Sequence, residues 1–249
     1  MIKLDHISNV FNKGMQNEVV ALDDISLQIQ DAEFVVLIGA NGSGKTTLLN
    51  CIAGAIKPSS GKIVIDGHDV TGLPEYKRSK WIARVFQNPN HGTAPELSIL
   101  DNFRLAALRT KHKGLRIGTH AKFKNEVAEK VKSLCMGLEK KLSQNMGNLS
   151  GGQRQALTLL MSVMDDTHIL LLDEPTAALD PKSAALIMNL AEKLNREMGM
   201  ITLLITHNIR DAHHYGTRLI QMQEGKIVKD IPKLEKAVLA VEDMYKWFG

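Results

Sequence analysis

The residues best equipped for chemistry stand in one row, Gly39-Ala40-Asn41-Gly42-Ser43-Gly44-Lys45-Thr46. Glycines at these spacings let successive backbone N–H groups point inward at an anion, and a following helix start adds partial positive charge. Lys45 can neutralise β- and γ-phosphates, and the Thr46 hydroxyl is an oxygen ligand suited to Mg²⁺. The pattern G-x-x-x-x-G-K-[ST] carries weight only between a strand and a helix. Here the apolar run Phe34-Val35-Val36-Leu37-Ile38 precedes it, and Thr47-Leu48-Leu49-Asn50, without Gly or Pro, follows. Gly39, Asn41, Gly42, Ser43, Gly44, Lys45, Thr46 and Thr47 are therefore candidate ligands of a nucleoside triphosphate. A Gly-rich turn with a solvated lysine is the plainer alternative.

Two further stretches could complete such a site. His168-Ile169-Leu170-Leu171-Leu172-Asp173-Glu174 reads as a buried strand with two carboxylates at its end. Asp173 can hold Mg²⁺ from the far side of the phosphates, leaving Glu174 to polarise an attacking water. The second carboxylate points to hydrolysis rather than binding alone. In Leu149-Ser150-Gly151-Gly152-Gln153, paired glycines after a serine open the helix-like run Arg154 to Met164. That is a second anion-binding helix start, and it suggests a face serving the nucleotide of another copy.

The elements that must position these residues follow from periodicity. Ile2 to Ile7, Val19 to Leu22, Ile25 to Ile29 and Lys62 to Gly67 read as short strands of a small antiparallel sheet. Ile82 to Phe86, His168 to Glu174 and Ile201 to Thr206 read as core strands, with a helix from Ser183 to Met198 between the last two. Strands alternating with helices imply a parallel sheet covered on both faces. Between Gln87 and Asn148 the character changes, with helical spacing over Ser98 to Leu108 and Lys122 to Leu138. The expected organisation is one α/β domain, 1–249. Its nucleotide-binding core and β subdomain comprise 1–87 and 160–225, an inserted helical subdomain 88–159, and a helical tail 226–249. In that tail Leu234, Val238, Val241, Tyr245 and Phe248 fall at helical spacing, as in one docked terminal helix.

Composition narrows the function classes. The chain has 249 residues, 44% hydrophobic and 23% charged, enough to bury a core without disulfides. Cys51 and Cys135 form no CxxC pair, which fits a reducing compartment. The amino end has no apolar signal region, and the nearly apolar run Ala156 to Met164 is far too short to cross a bilayer. A formal charge of +4 is a mild bias. Arg109, Lys111, Lys113, Arg116, Lys122 and Lys124 cluster without acids among them; a solvated face is expected, with anionic lipid and nucleic acid as rivals. Adjacent His213 and His214 diverge on a helix and suggest no metal.

With phosphate loop, LSGGQ and LLLDEP in this order, the chain resembles the ATP-binding cassette (ABC) ATPases along nearly its whole length. The resemblance implies a P-loop NTPase core and a separate, importer-like ATPase subunit, binding ATP and Mg²⁺. It also implies a cytoplasmic location, peripheral on the inner face of the cell membrane. The implied partners are a second copy placed head to tail with ATP between, integral membrane permease subunits, and in some systems an external substrate-binding protein. Phe11 matches the aromatic that stacks on adenine, though tyrosine is commoner there and packing is the rival role. Gln87 matches the glutamine that reaches Mg²⁺ and the attacking water and links to the membrane partner. Asp180 resembles a residue that crosses the dimer interface; a helix N-cap before Pro181 is the rival. His207 matches the histidine that contacts γ-phosphate and positions the catalytic glutamate.

The departures are local. Ala156 and Met161 stand where two arginines are usual, Ala32 stands where Gly is usual, and the Gly-Glu-Arg-Gly run of exporters is absent, which favours an importer. One rival reading is a soluble ABC-type ATPase acting on nucleic acid or ribosomes. The long coiled coil of DNA-repair members and the second cassette of translation-type members are both missing. The other rival, an ATP sensor without hydrolysis, is opposed by Glu174 and His207.

Overall fold

The apolar run Phe34–Ile38 lies in the middle of a six-stranded sheet in the computed structural model, which describes residues 1–88, 90–108, 120–165 and 167–248. Ten strands are described: β1 (Ile2–Phe11), β2 (Val19–Ile29), β3 (Phe34–Ile38), β4 (Ser60–Ile65), β5 (His68–Asp69), β6 (Ile82–Val85), β7 (Ile169–Asp173), β8 (Ile201–Ile205), β9 (Arg218–Gln223) and β10 (Lys226–Ile231). The described helices are α1 (Lys45–Ala53), α2 (Glu75–Arg78), α3 (Ile99–Ala107), α4 (Ala121–Lys132), α5 (Gly151–Ser162), α6 (Pro181–Met198), α7 (Ile209–His214), α8 (Lys233–Lys236) and α9 (Val241–Tyr245).

The large sheet has the order β10-β9-β3-β8-β7-β6 and is parallel except for the β9–β10 hairpin. The small one, β2-β1-β4-β5, is antiparallel throughout. Continuous apolar strands are what a sheet covered on both faces demands. In β3, Phe34, Val36 and Ile38 point into one core with the helices, while Val35 and Leu37 point into another with α1 and the small sheet. β7 divides likewise, with Leu170 and Leu172 on the first side and Ile169 and Leu171 on the second. The expected α/β fold with a parallel core and a small antiparallel sheet is present. No described helix is long and apolar enough to cross a membrane.

Several boundaries differ from the sequence reading for identifiable reasons. Val19–Leu22 and Ile25–Ile29 are one strand, β2, bent where Asp24 takes φ 55°. α4 stops at Lys132, not Leu138, because Cys135 and Gly137 turn left-handed at φ 54° and 69°. Lys122 and Lys124 are exposed on α4, whereas Arg109, Lys111, Lys113 and Arg116 lie outside the described residues. Ala156 and Met161, at the positions where arginine was expected, are buried in the helical core. Ala32 has φ 60°, the left-handed conformation that favours glycine.

The tail needs the largest correction. Residues 226–231 form strand β10, because Glu224-Gly225, both at positive φ, make the tight two-residue turn that returns the chain onto β9. Nor does one docked helix follow: α8 and α9 are short, and the chain is extended at Ala240 between them. Leu234 and Val238 are 84% and 85% exposed, and Tyr245 is also exposed. Phe248's side chain lies outside the described set. Fully buried Met244 and Lys236 anchor the tail instead, the Lys236 ammonium donating to the carbonyls of Tyr215 and Gly216.

Two other buried polar contacts hold α1. The fully buried Arg78 guanidinium donates to Cys51 O (2.7 Å) and Ile52 O (2.8 Å) at its end, and to Leu73 O and Thr71 O. A cation there satisfies the free carbonyls of the last turn and complements the helix dipole. Cys51 is fully buried and its thiol is pushed up to about 11 by burial, so it packs rather than reacts.

Burial pushes the Lys236 ammonium down to about 8. Between that value and the ordinary lysine range, the unfolded chain keeps a proton that the native chain has released, so native stability gains as pH rises. Denaturant unfolding of wild type and Lys236→Met from pH 7.5 to about 10.5 should show the difference between them shifting towards wild type by up to about 3 kcal/mol. A flat difference would mean that Lys236 titrates normally.

Candidate nucleotide site

The phosphate loop leaves the carboxyl end of β3, where ligands bind in open α/β sheets. Its shape is set by close backbone approaches. At Gly39, φ 152°, a Cβ would lie 2.2 Å from Met222 O of β9; at Gly44, φ 100°, it would lie 2.5 Å from Ala21 O of β2. The β9–β10 turn braces the loop, Gly225 N–H donating to Ser43 O at 3.1 Å. The Lys45 ammonium donates to Gly39 O (2.8 Å), Ala40 O (2.9 Å) and Ser43 Oγ (3.4 Å). Burial lowers its pKa from the usual lysine range, while the charges of Glu174 and Asp173 pull it back up.

Asn41 to Thr47 line a cavity of about 300 Å³ together with Phe11, Val19, Ala21 and Glu174. Phe11 ends β1 with its ring 39% exposed, so it faces the cavity more than it packs. Asp173 closes β7 with both oxygens engaged: Oδ1 accepts from Thr46 Oγ1 at 3.5 Å and Oδ2 from Arg84 at 3.3 Å. Burial raises the Asp173 pKa above the ordinary carboxylate range, and Arg84 opposes that shift. Thr46 and Asp173 thus set two hard oxygen ligands side by side, a donor set that fits Mg²⁺. Glu174 follows at φ 46°, a left-handed conformation rare outside glycine and typical of strained functional positions. Its carboxylate lies 3.2 Å from His207 Nδ1, delivered by the end of β8. Gln87 is exposed just past β6.

Ser150, Gly151, Gly152 and Gln153 do not line this cavity. They open α5 through a reciprocal cap, Ser150 Oγ accepting from Gln153 N and Gln153 Oε1 from Ser150 N. Gly152 packs so tightly on α6 that a Cβ would lie 2.4 Å from Ser183 Oγ, while Gly151 beside it is exposed. Asp180 caps α6, accepting from Lys182 N and Ser183 N, and hydrogen bonding from the Ser183 side chain first, then its backbone, holds the Asp180 carboxyl below the usual range. Sequence reasoning missed three residues here. Arg84 reaches Asp173 from the neighbouring strand, Arg154 joins Asn90 to the carbonyls of Gly147 and Leu149, and Gln155 donates to Phe86 O at 3.0 Å. An arginine inside the apolar run Ile82–Phe86 was the one available signal.

A phosphate cradle, an adjacent carboxylate pair and a separate LSGGQ helix start lie on one fold, and the family model described as ABC transporter matches residues 22–177. The chain belongs to the ABC transporter family. The cassette is 40% identical over 248 residues to the tyrosine transport ATP-binding protein of Clostridioides difficile, covering 100% of this chain and 98% of that one. It is 34% identical to the energy-coupling factor transporter ATP-binding protein EcfA2 of Caldanaerobacter subterraneus, covering 96% and 85%. Among solved structures it matches the dimeric post-hydrolysis state of the ATP-binding cassette MJ0796 bound to ADP and Pi. The TM-score is 0.80 at 30% identity, over 93% of this chain and 98% of that one.

The cap at Asp180 separates a local from an interfacial role. Asparagine caps a helix as well as aspartate does, but without charge. Asp180→Ala should lower the melting temperature while Asp180→Asn retains it. ATPase activity lost in a fully stable Asp180→Asn would then report the carboxylate's work outside its own helix.

Proposed function

We propose that the cassette works as the ATPase half of a solute importer, paired head to tail with a second copy. The carrying observation is that Glu174, 3.2 Å from His207, lines the cavity formed by Lys45 and Thr46, a cavity to which Ser150–Gln153 of the same chain contribute nothing. One copy supplies half a site; Ser150, Gly151, Gly152 and Gln153 of another supply a second helix start for the γ-phosphate. That cassettes of this family assemble as dimers, as in the ADP- and Pi-bound relative, supports the pairing.

In this reading Phe11 stacks on adenine, while Gly39, Asn41, Gly42, Ser43, Gly44, Lys45 and Thr47 cradle the phosphates. Thr46, Asp173 and Gln87 hold Mg²⁺, which neutralises charge on the β- and γ-phosphates when bound. Glu174 takes a proton from the attacking water, and His207 holds the Glu174 carboxylate in place. Asp180 reaches across the interface. A groove of about 610 Å³ beside Gln87, walled by Glu75, Phe86 and Met161, suits a segment of a membrane subunit. Such a subunit would hold the cassette on the inner face of the membrane, with an external binding protein delivering cargo in some assemblies. Relatives named for methionine and phosphonates import support inward transport, and the relative named for tyrosine transport makes tyrosine the first cargo to test.

Glu174→Gln should bind ATP normally, lose at least about 100-fold in turnover and accumulate as a dimer on size-exclusion chromatography with ATP. Ser150→Arg should abolish both the dimer and turnover while leaving ATP binding intact. Full turnover by a strictly monomeric preparation of Ser150→Arg would refute the shared site.

A further inference from the structure

Arg84 is a charged residue in a strand whose neighbours Ala83 and Val85 are fully buried. Its guanidinium stands between two carboxylates and is committed to neither. Nη2 reaches Asp173 Oδ2 at 3.3 Å, Nη1 stops 4.0 Å from Glu75 Oε1 on α2, and Cζ rides 4.6 Å over the Phe86 ring. Nε is buried without a hydrogen-bond partner among the described residues. A settled Arg–carboxylate pair is short and two-pronged; these contacts are long and single.

The two acceptors differ in what they do. Asp173 is mostly buried and faces Thr46 with its other oxygen, whereas Glu75 is half-exposed on the wall of the groove that Arg84 and Phe86 also line. With Mg²⁺ held by Thr46 and Asp173, a divalent charge would face the guanidinium across one carboxylate, and like charges so close oppose each other strongly. Glu75 is then the better berth. We propose that Arg84 is a positioning residue shared between Asp173 and Glu75, holding the Asp173 carboxylate until Mg²⁺ binds and then passing to Glu75. The metal site and the groove thereby sense each other, since any groove occupant that alters the Arg84–Glu75 contact alters Mg²⁺ affinity, and the reverse. The proposal rests on the assignment of Mg²⁺ to Asp173.

The test is a binding measurement. The Kd of the non-hydrolysable analogue AMP-PNP is measured with EDTA and with Mg²⁺, and the ratio of the two gives the metal's enhancement of nucleotide binding. Arg84→Met should raise that ratio about tenfold, and Arg84→Lys, which keeps the charge, should leave it near wild type. Glu75→Gln, at an exposed and readily substituted position, should lower it about threefold, because Arg84 loses its second berth. Combined with Arg84→Met, Glu75→Gln should add nothing. An unchanged or lower ratio in Arg84→Met, or a shift of both single variants in the same direction, would overturn the proposal. Asp173→Asn is the control: an enhancement surviving there overturns the metal assignment, while its loss beside a flat Arg84→Met overturns the shared arginine alone.

Discussion

Met222 O stands where any residue but glycine would carry its Cβ at position 39, and the phosphate loop owes its shape to that contact. The approach is fixed by strand order: β9 lies directly beside β3, so the end of one parallel strand presses on the loop leaving the other. β9 is itself secured by Arg218, which binds Asp230 of β10 and Glu33 just before β3. The turn after β9 donates to Ser43, and β2 closes from the other side at Gly44. Strands β2 and β9 and the turn after β9 thus brace the loop from outside, while the Lys45 ammonium ties Gly39 O and Ala40 O from within.

Glu174 and His207 stand at the same edge. β7 and β8 end one strand apart in the parallel ladder, which is why Glu174 and His207 meet although 33 positions separate them in sequence. The left-handed backbone at Glu174 is compatible with this because Glu174 N–H is fixed to Ile205 O at 3.0 Å. Strain at one residue is held by a hydrogen bond to the neighbouring strand end.

Much of this was legible in the sequence, and the reasons are physical. The loop, the carboxylate pair and LSGGQ are contiguous runs of residues, so residue order alone displays them. Strands β3, β7 and β8 are buried on both faces and read as unbroken apolar runs. What escaped depends on contacts between distant positions. Arg84 becomes meaningful only when β6 is placed beside β7, and Arg78 only when α2 is packed under the end of α1. The tail misled because helical spacing of Leu234, Val238 and Tyr245 says nothing about which face meets the body. Lys236 and Met244, between those positions, make the attachment. β10, with Lys226, Val228, Lys229 and Asp230 exposed, has the polar look of an edge strand rather than a core one.

Gly152 meets Ser183 with no room for a methyl group, while its exposed neighbour Gly151 lies beside Leu179. The signature turn and the first turn of α6 are consequently packed against each other without an intervening gap at Gly152. A side chain at 152 would wedge the two helix starts apart, so glycine there is a condition of their close approach.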